Sequence, residues 1–289
     1  MADVKLIIFG DPKRRYTTEA VEDFLRFAEG KAEILANCFD RSCSAETLKG
    51  ADFAVVFGGD GTILSAAREL CETSVPVIGV NVGKLGFLAE FGPEELKELF
   101  SRIIKDESLI KKRMILDCRV EREGSEQFRS TAINDVVIAA GEPFNMIEVQ
   151  MNVQGEALAG CTGDGVIIST PTGSTAYNLS SGGPILSANL SAIVITPICP
   201  HSLSFRPIVI DADSVVQIRP VRVNEGTKVT LDGQVHRKLE VGDVVSVRRH
   251  RGSFLVVNNP MRTQWDTLAS KLSWAGRPSY NTKQDKSEK

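Results

Sequence analysis

Apolar residues along the first hundred or so positions alternate between two periods. Val4–Phe9, Ala32–Ala36, Phe53–Phe57 and Pro76–Val80 are short apolar runs, rich in β-branched residues, that predict buried strands. Between them lie segments with helical spacing. Thr17–Glu29 carries Val21, Phe24, Leu25 and Ala28 on one face, with Thr17 or Thr18 as the expected cap. Ala45–Lys49 predicts a short helix, a longer one starts at Thr62, and Pro93–Lys105 opens on proline with Leu96, Leu99, Phe100 and Ile103 on one side. Strand and helix in alternation predict a parallel sheet with helices on its faces, a Rossmann-like α/β domain.

The rhythm changes after Arg113. Leu116–Glu121, Phe128–Thr131, Asp135–Ala139, Ile147–Val153 and Gly165–Ser169 read as short strands separated by turn residues. Ala192–Thr196, Ile208–Ile210, Val215–Pro220, Thr227–Leu231, Val244–Val247 and Phe254–Val257 continue the series. So many strands, with one helix near Ser174–Ser180, predict a β-sandwich-like domain. Met261–Trp274 reads as a terminal helix expected to pack back on the first domain. The expected division is therefore 1–112 with 261–289 as the α/β domain and 113–260 as the all-β domain. Lys111-Lys112-Arg113 reads as a solvated linker between them.

Composition narrows the class. The 289 residues are 42% hydrophobic and 25% charged with a net charge of −3, which fits a globular chain with a sizeable core. Nothing in that balance steers the molecule to nucleic acid or to an anionic membrane. No apolar run is long enough to span a bilayer, and a cytoplasmic location is the expectation. The six cysteines form no C-x-x-C pair and are expected to be reduced. The three histidines show no metal-ligand spacing, so no protein-borne metal site is assigned.

Two glycine-rich turns carry the chemistry. Phe57-Gly58-Gly59-Asp60-Gly61-Thr62 ends a strand and opens a helix. Glycine lets backbone approach a ligand, and free N–H groups at a helix start receive phosphate. Asp60 within that turn serves a bound Mg²⁺, takes a proton from an attacking hydroxyl, or merely caps the helix. The second segment runs from Thr162-Gly163-Asp164-Gly165 to Ser169-Thr170-Pro171-Thr172-Gly173-Ser174-Thr175-Ala176-Tyr177. Small hydroxylated residues at a helix start suit a polar or phosphorylated ligand, and Tyr177 offers a ring for stacking. The plainer alternative is a tight turn with a capped helix.

Taken in order, these motifs resemble the NAD kinases, which phosphorylate the adenosine ribose 2′-hydroxyl of NAD. Gly58-Gly59-Asp60-Gly61-Thr62, Asn134-Asp135-Val136-Val137, and Ser169–Tyr177 followed by Gly182-Gly183-Pro184-Ile185 are similar to the three motifs of that family. Gly79-Val80-Asn81, Gly86-Phe87-Leu88, Asp232-Gly233-Gln234 and the Trp265–Trp274 tail are also similar to family segments. The resemblance implies Asp60 as catalytic base, with Gly59, Gly61 and Thr62 holding the triphosphate together with Mg²⁺. It implies an NAD site of Asp60, Gly61, Phe87, Asn134, Asp135, Asn145, Thr162, Asp164, Thr172, Thr175, Ala176, Tyr177, Ser180 and Gln234. NAD and ATP, or polyphosphate in place of ATP, are the implied substrates, and a homodimer or homotetramer the implied assembly. Thr162 stands where many relatives carry arginine, and Asn145 where histidine is common. In Asn81-Val82-Gly83-Lys84, Lys84 steers phosphate or sits in solvent. A lipid kinase of the diacylglycerol type and a non-catalytic nucleotide sensor are the rival readings.

Overall fold

The structure is a computed structural model that describes residues 4–39, 43–83 and 86–272. Lys84 and Trp274, both singled out above, lie outside the described residues. Residues up to Asn258 form one compact unit, and those from Asn259 form another.

The first lobe follows the predicted rhythm: β1 (Val4–Gly10), α1 (Arg15–Ala28), β2 (Ala32–Asn37), α2 (Ala45–Lys49), β3 (Phe53–Phe57), α3 (Asp60–Leu70), β4 (Val77–Val80) and α4 (Pro93–Ile103). The four strands are parallel in the order β2-β1-β3-β4. β3 and β4 are buried along their whole length, as strands covered on both faces must be. Alternate residues of β1 feed opposite faces. Leu6 and Ile8 pack with Phe24, Phe57, Phe91 and Phe100, while Ile7 and Phe9 pack with Ile63, Leu64 and Leu70 of α3. The expected Thr17 cap is not formed. α1 begins at Arg15 with Arg14 as N-cap and no side-chain cap bond, and Thr17 is buried beside Gly10.

The second lobe comprises β5 (Ile110–Arg122), β6 (Ser125–Ala132), β7 (Asp135–Ala139), β8 (Ile147–Val153), β9 (Glu156–Gly163), β10 (Gly165–Ser169), α5 (Tyr177–Ser180), β11 (Ala192–Ile198), β12 (Ile208–Asp211), β13 (Val216–Arg222), β14 (Lys228–Leu231), β15 (Val235–Lys238) and β16 (Asp243–Val257). One antiparallel sheet runs β12-β11-β10-β7-β14-β15. Its inner face, with Val136, Ile138, Val166 and Ile168, packs against Cys118, Val149, Ile218 and Val245 of the other sheet. This is the expected sandwich. The two segments predicted at Val244–Val247 and Phe254–Val257 are one strand, β16, which continues across an irregularity between Arg249 and Ser253.

β16 joins the lobes. Its C-terminal end lies parallel to β4 through Val256–Val77, its N-terminal half pairs antiparallel with β13, and β5 follows it over its length. The reading of Lys111–Arg113 as a solvated linker is corrected accordingly. These residues lie inside β5, and buried Arg113 donates to Asn189 Oδ1 (2.8 Å) and Asn258 Oδ1 (3.4 Å). Burial lowers the Arg113 pKa, and the nearby Glu90 carboxylate opposes that shift. The expectation of six reduced cysteines is also corrected, since Cys38 and Cys43 are joined by a disulfide. α6 (Gln264–Leu272), in the second unit, falls within the helix expected at Met261–Trp274.

Candidate active site

The first glycine turn builds a cavity at the carboxyl ends of β1 and β3. Gly59 is the N-cap of α3, in extended backbone without a side-chain cap bond. Gly59, Gly61, Thr62 and Ser65 form one wall of a cavity of about 480 Å³, faced by Gly10, Asp11, Arg14, Phe39 and Gln234. Glycine backbone and hydroxyls make the α3 side of the cavity, and the α3 N-terminus adds the positive end of its dipole. Gly58 is tied to this geometry twice. Its φ is +156°, and a Cβ there would fall 2.4 Å from Thr62 Oγ1.

Asp60 does not cap its helix. Its carboxylate reaches across to the loop after β4, where Oδ2 accepts from the Phe87 N–H (2.9 Å). Oδ1 accepts from Leu88 N–H (3.0 Å) and Ala89 N–H (3.2 Å). Gly86 makes room for it, because a Cβ there would sit 2.0 Å from Oδ1. Asp60 is thus held rigidly by three backbone donors, with lone-pair capacity left on Oδ2. Phe87 enters the site through its backbone, and its side chain is half-buried.

The second cavity, of about 430 Å³, lies on the outer face of β7 and β14. Asp135, Val137 and Ala139 alternate along one strand, and Lys228, Thr230 and Asp232 along its antiparallel neighbour. Asn134, Ala176, Tyr177 and Gly233 complete the walls. The Tyr177 ring is 46% exposed and open to a ligand. Asp135 is buried with a pKa pushed up to about 7, by burial first and then by the Asp232 charge. Burial also raises Asp232, against the N–H groups of residues 133–135 and the Arg68 charge.

The Ser169–Tyr177 motif supports this cavity from behind. Thr170 Oγ1 donates to the Ile133 carbonyl (2.6 Å) and its N–H to the Asn134 carbonyl (2.9 Å). Gly173 presses on the same peptide, where a Cβ would lie 2.1 Å from Asn134 O. Buried Asn178 donates to Ser174 O (3.1 Å) and Pro184 O (3.1 Å) and accepts from Thr196 Oγ1 (2.7 Å). Thr175 Oγ1 donates to the Thr172 carbonyl (3.4 Å), and the buried Thr172 Oγ1 has no hydrogen-bond partner.

Other predicted residues stand apart from these walls. Thr162 is half-buried on β9 opposite Glu148, and Asp164 is exposed at the β9–β10 junction. Ser180 is exposed at the end of α5. Asn145 borders a separate cavity of about 700 Å³ with Met146 and Arg222–Glu225, and its carbonyl accepts from Asn224 Nδ2 (2.8 Å). Among the described residues there is no cluster of three potential metal-ligating side chains. Asp11 supplies the carboxylate in the first cavity.

Sequence reasoning missed Arg68, Asp11, Ser65, Lys228 and Thr230. Lys228 and Thr230 carry a period-2 signal on a predicted strand, but no pattern tells which face of that strand meets a ligand.

Comparison with known proteins gives the family. Residues 16–108 match the ATP-NAD kinase N-terminal domain and residues 133–259 the ATP-NAD kinase C-terminal domain. An NAD kinase of Rhodopirellula baltica is 35% identical over 273 residues, 94% of this chain and 88% of that protein. An NAD kinase of Geobacter sulfurreducens is 43% identical over 227 residues, 78% of this chain and 80% of that one. The crystal structure of yeast NADH kinase complexed with NADH superposes with a TM-score of 0.86 at 28% identity, covering 97% of this chain and 90% of that one. The chain belongs to the ATP-NAD kinase family.

Proposed function

We propose that this chain transfers the terminal phosphoryl group of ATP to the 2′-hydroxyl of the adenosine ribose of NAD, making NADP. The observation that carries the reading is a pair of cavities separated by one short turn. One is built for phosphate at a helix start, and the other is lined by an aromatic ring, an amide and carboxyl groups. The names of the relatives and the NADH bound to yeast NADH kinase support the same substrate class.

Residue roles follow from the donors. The backbone of Gly59 and Gly61 and the hydroxyl of Thr62 hold the triphosphate against the α3 N-terminus. Asp60, fixed by its three N–H partners, offers the remaining Oδ2 lone pair to the ribose hydroxyl and takes its proton as the new P–O bond forms and the bond from the γ-phosphorus to the bridging oxygen breaks, releasing ADP. Asn134 and Asp135 read base edge and ribose, and Tyr177 stacks on a ring of the dinucleotide. Mg²⁺ on the triphosphate supplies charge neutralisation when bound. No helix among the described residues is long and apolar enough to cross a membrane, in keeping with work in the cytoplasm on soluble nucleotides. Light scattering distinguishes the proposed homodimer from the homotetramer.

The test is formation of NADP from NAD, ATP and Mg²⁺, with polyphosphate as alternative donor and NADH as alternative acceptor in parallel. Phosphorylation of diacylglycerol without NADP formation overturns the reading in favour of the lipid kinase. Nucleotide binding without turnover overturns it in favour of a sensor.

A further inference from the structure

Asp232, Gly233 and Gln234 form the turn between β14 and β15, and this turn divides the two cavities. Asp232 and Gly233 wall the nucleotide cavity, while Gln234 closes one side of the phosphate cavity. Asp232 is a non-glycine residue at φ +51°, an unfavoured backbone state that needs external support. Its carboxylate accepts from the N–H groups of Ile133 (3.0 Å), Asn134 (2.7 Å) and Asp135 (3.3 Å). Gln234 reaches the other way, where its Nε2–H donates to the Gly61 carbonyl (2.8 Å).

One side chain grips both ends of this turn. Arg68, on α3, donates from Nη1 to Asp232 Oδ2 (3.3 Å) and from Nη2 to Gln234 Oε1. It forms no part of the wall of either cavity. We propose that Arg68 is a positioning residue that couples the two substrate cavities, holding the 232–234 turn so that the Asn134–Asp135 pair and the α3 phosphate helix keep one spacing. The inference rests on the functional reading above and adds a residue that acts through others.

The chemistry favours arginine for this work. A planar guanidinium presents two parallel donors, so it can hold a carboxylate and an amide oxygen at once. A lysine is a point charge that can satisfy the carboxylate but not the fork. The Asp232 side chain is fully buried, so loss of its cationic partner leaves a buried carboxylate beneath the nucleotide cavity held by its three N–H partners alone. With Arg68 in place, a ligand that orders one cavity also orders the turn that walls the other, which is a coupling free energy between sites.

The test uses the full chain and the variants Arg68→Gln and Arg68→Lys. The dissociation constant of NAD is measured with and without a non-hydrolysable ATP analogue. In the parent chain the analogue tightens NAD about fivefold or more, the low end of usual coupling. In both variants the ratio falls toward one. A merely structural role lowers the melting temperature and leaves the ratio unchanged. Amide hydrogen exchange at residues 133–135 supplies a readout independent of nucleotides and quickens in Arg68→Gln, where the Asp232 carboxylate loses its cation. A parent ratio of one, a variant ratio equal to the parent's, or unaltered exchange at 133–135 in Arg68→Gln overturns the coupling. A parent chain that binds neither nucleotide overturns the functional reading instead, and the exchange result then judges the clamp alone.

Discussion

The two cavities are built from different materials. One wall of the phosphate cavity, Gly59 to Ser65, is a single short stretch of backbone, glycine and hydroxyl at the start of one helix, and the rest comes from the end of β1, Phe39 and Gln234. The nucleotide cavity is made of side chains on two neighbouring strands, β7 and β14, that lie far apart in sequence. In the first, a Cβ at Gly58 would strike Thr62 Oγ1 at 2.4 Å, while Gly59 leaves open space for a ligand. The second depends on which of its side chains carry charge. Substitutions in the two places should therefore fail in different ways: near the phosphate cavity in turnover, near the nucleotide cavity in affinity.

The largest effect is expected at Asp60. Asp60→Asn replaces a proton acceptor with an amide and sets its NH₂ among the N–H groups of Phe87, Leu88 and Ala89. Turnover should fall about a hundredfold or more, the usual scale for a lost general base, with the Michaelis constant for NAD changed only a few-fold. Turnover that survives the substitution sinks the base assignment and leaves Asp60 as a tether for the 86–89 loop.

Two glycines sharpen the contrast. A Cβ on Gly86 meets the Asp60 carboxylate at 2.0 Å, and this side chain turns away only by giving up its three N–H partners. Gly86→Ala should therefore lose turnover about tenfold with the Michaelis constant for NAD little changed, since a displaced reacting group costs on that order or more. A Cβ on Gly173 meets the Asn134 carbonyl at 2.1 Å, with its carbon at 2.4 Å, and this backbone cannot swing away. Gly173→Ala should cost about 1–3 kcal/mol of stability, in the range of overpacking. It should also raise the Michaelis constant for NAD about tenfold, the equivalent of some 1.4 kcal/mol of binding. Urea midpoints and steady-state constants for both variants check this. Equal behaviour of the two erases the distinction between the cavities.

What could be read from the chain follows the same division. The Gly58–Thr62 turn was legible because its chemistry is local: strand, glycines, acid and helix start stand in one stretch. The parallel first lobe and the sandwich of the second were legible from their periods of hydrophobicity. β9 and β15 were not, because Glu156–Gly163 and Val235–Lys238 expose many positions and lack a buried alternation. Arg68 carried no signal, since its partners Asp232 and Gln234 are brought to it by folding alone. Of the local alternatives for Asp60, the helix cap is excluded by a loop 27 residues further along that binds its carboxylate. The strand character of Lys111–Arg113 was hidden because the buried charge of Arg113 is satisfied by Asn189 and Asn258, partners far along the chain.

Asp135 tests the charge dependence of the nucleotide cavity. Its pKa in the folded chain is about 7, against roughly 3.9 for an unperturbed aspartate. Between these values the folded state keeps a proton that the unfolded state has lost. Its contribution to stability is therefore greatest at low pH, declines as pH rises through this window, and is level above about 7. Asp135→Asn removes that titration. The fall in urea midpoint from pH 5 to pH 8 should be smaller in the variant than in the parent. An undiminished fall assigns the pH dependence to other groups, Asp232 first among them, since burial also raises its pKa.

The smallest effect, and the cleanest separation of affinity from chemistry, is expected at Tyr177. Its ring is 46% exposed, so Tyr177→Ala removes little from the core and should leave the melting temperature nearly unchanged. A stacked ring contributes about 0.5–1.5 kcal/mol, which corresponds to a rise of roughly two- to tenfold in the Michaelis constant for NAD. The constant for ATP and the turnover at saturation should stay close to the parent values, because Tyr177 borders the nucleotide cavity and not the phosphate cavity. Tyr177→Phe retains the stacking face and should restore affinity. If the phenylalanine variant binds as poorly as alanine, the hydroxyl and not the ring is the contact. If turnover falls in step with affinity, the two cavities are not functionally separable at this residue.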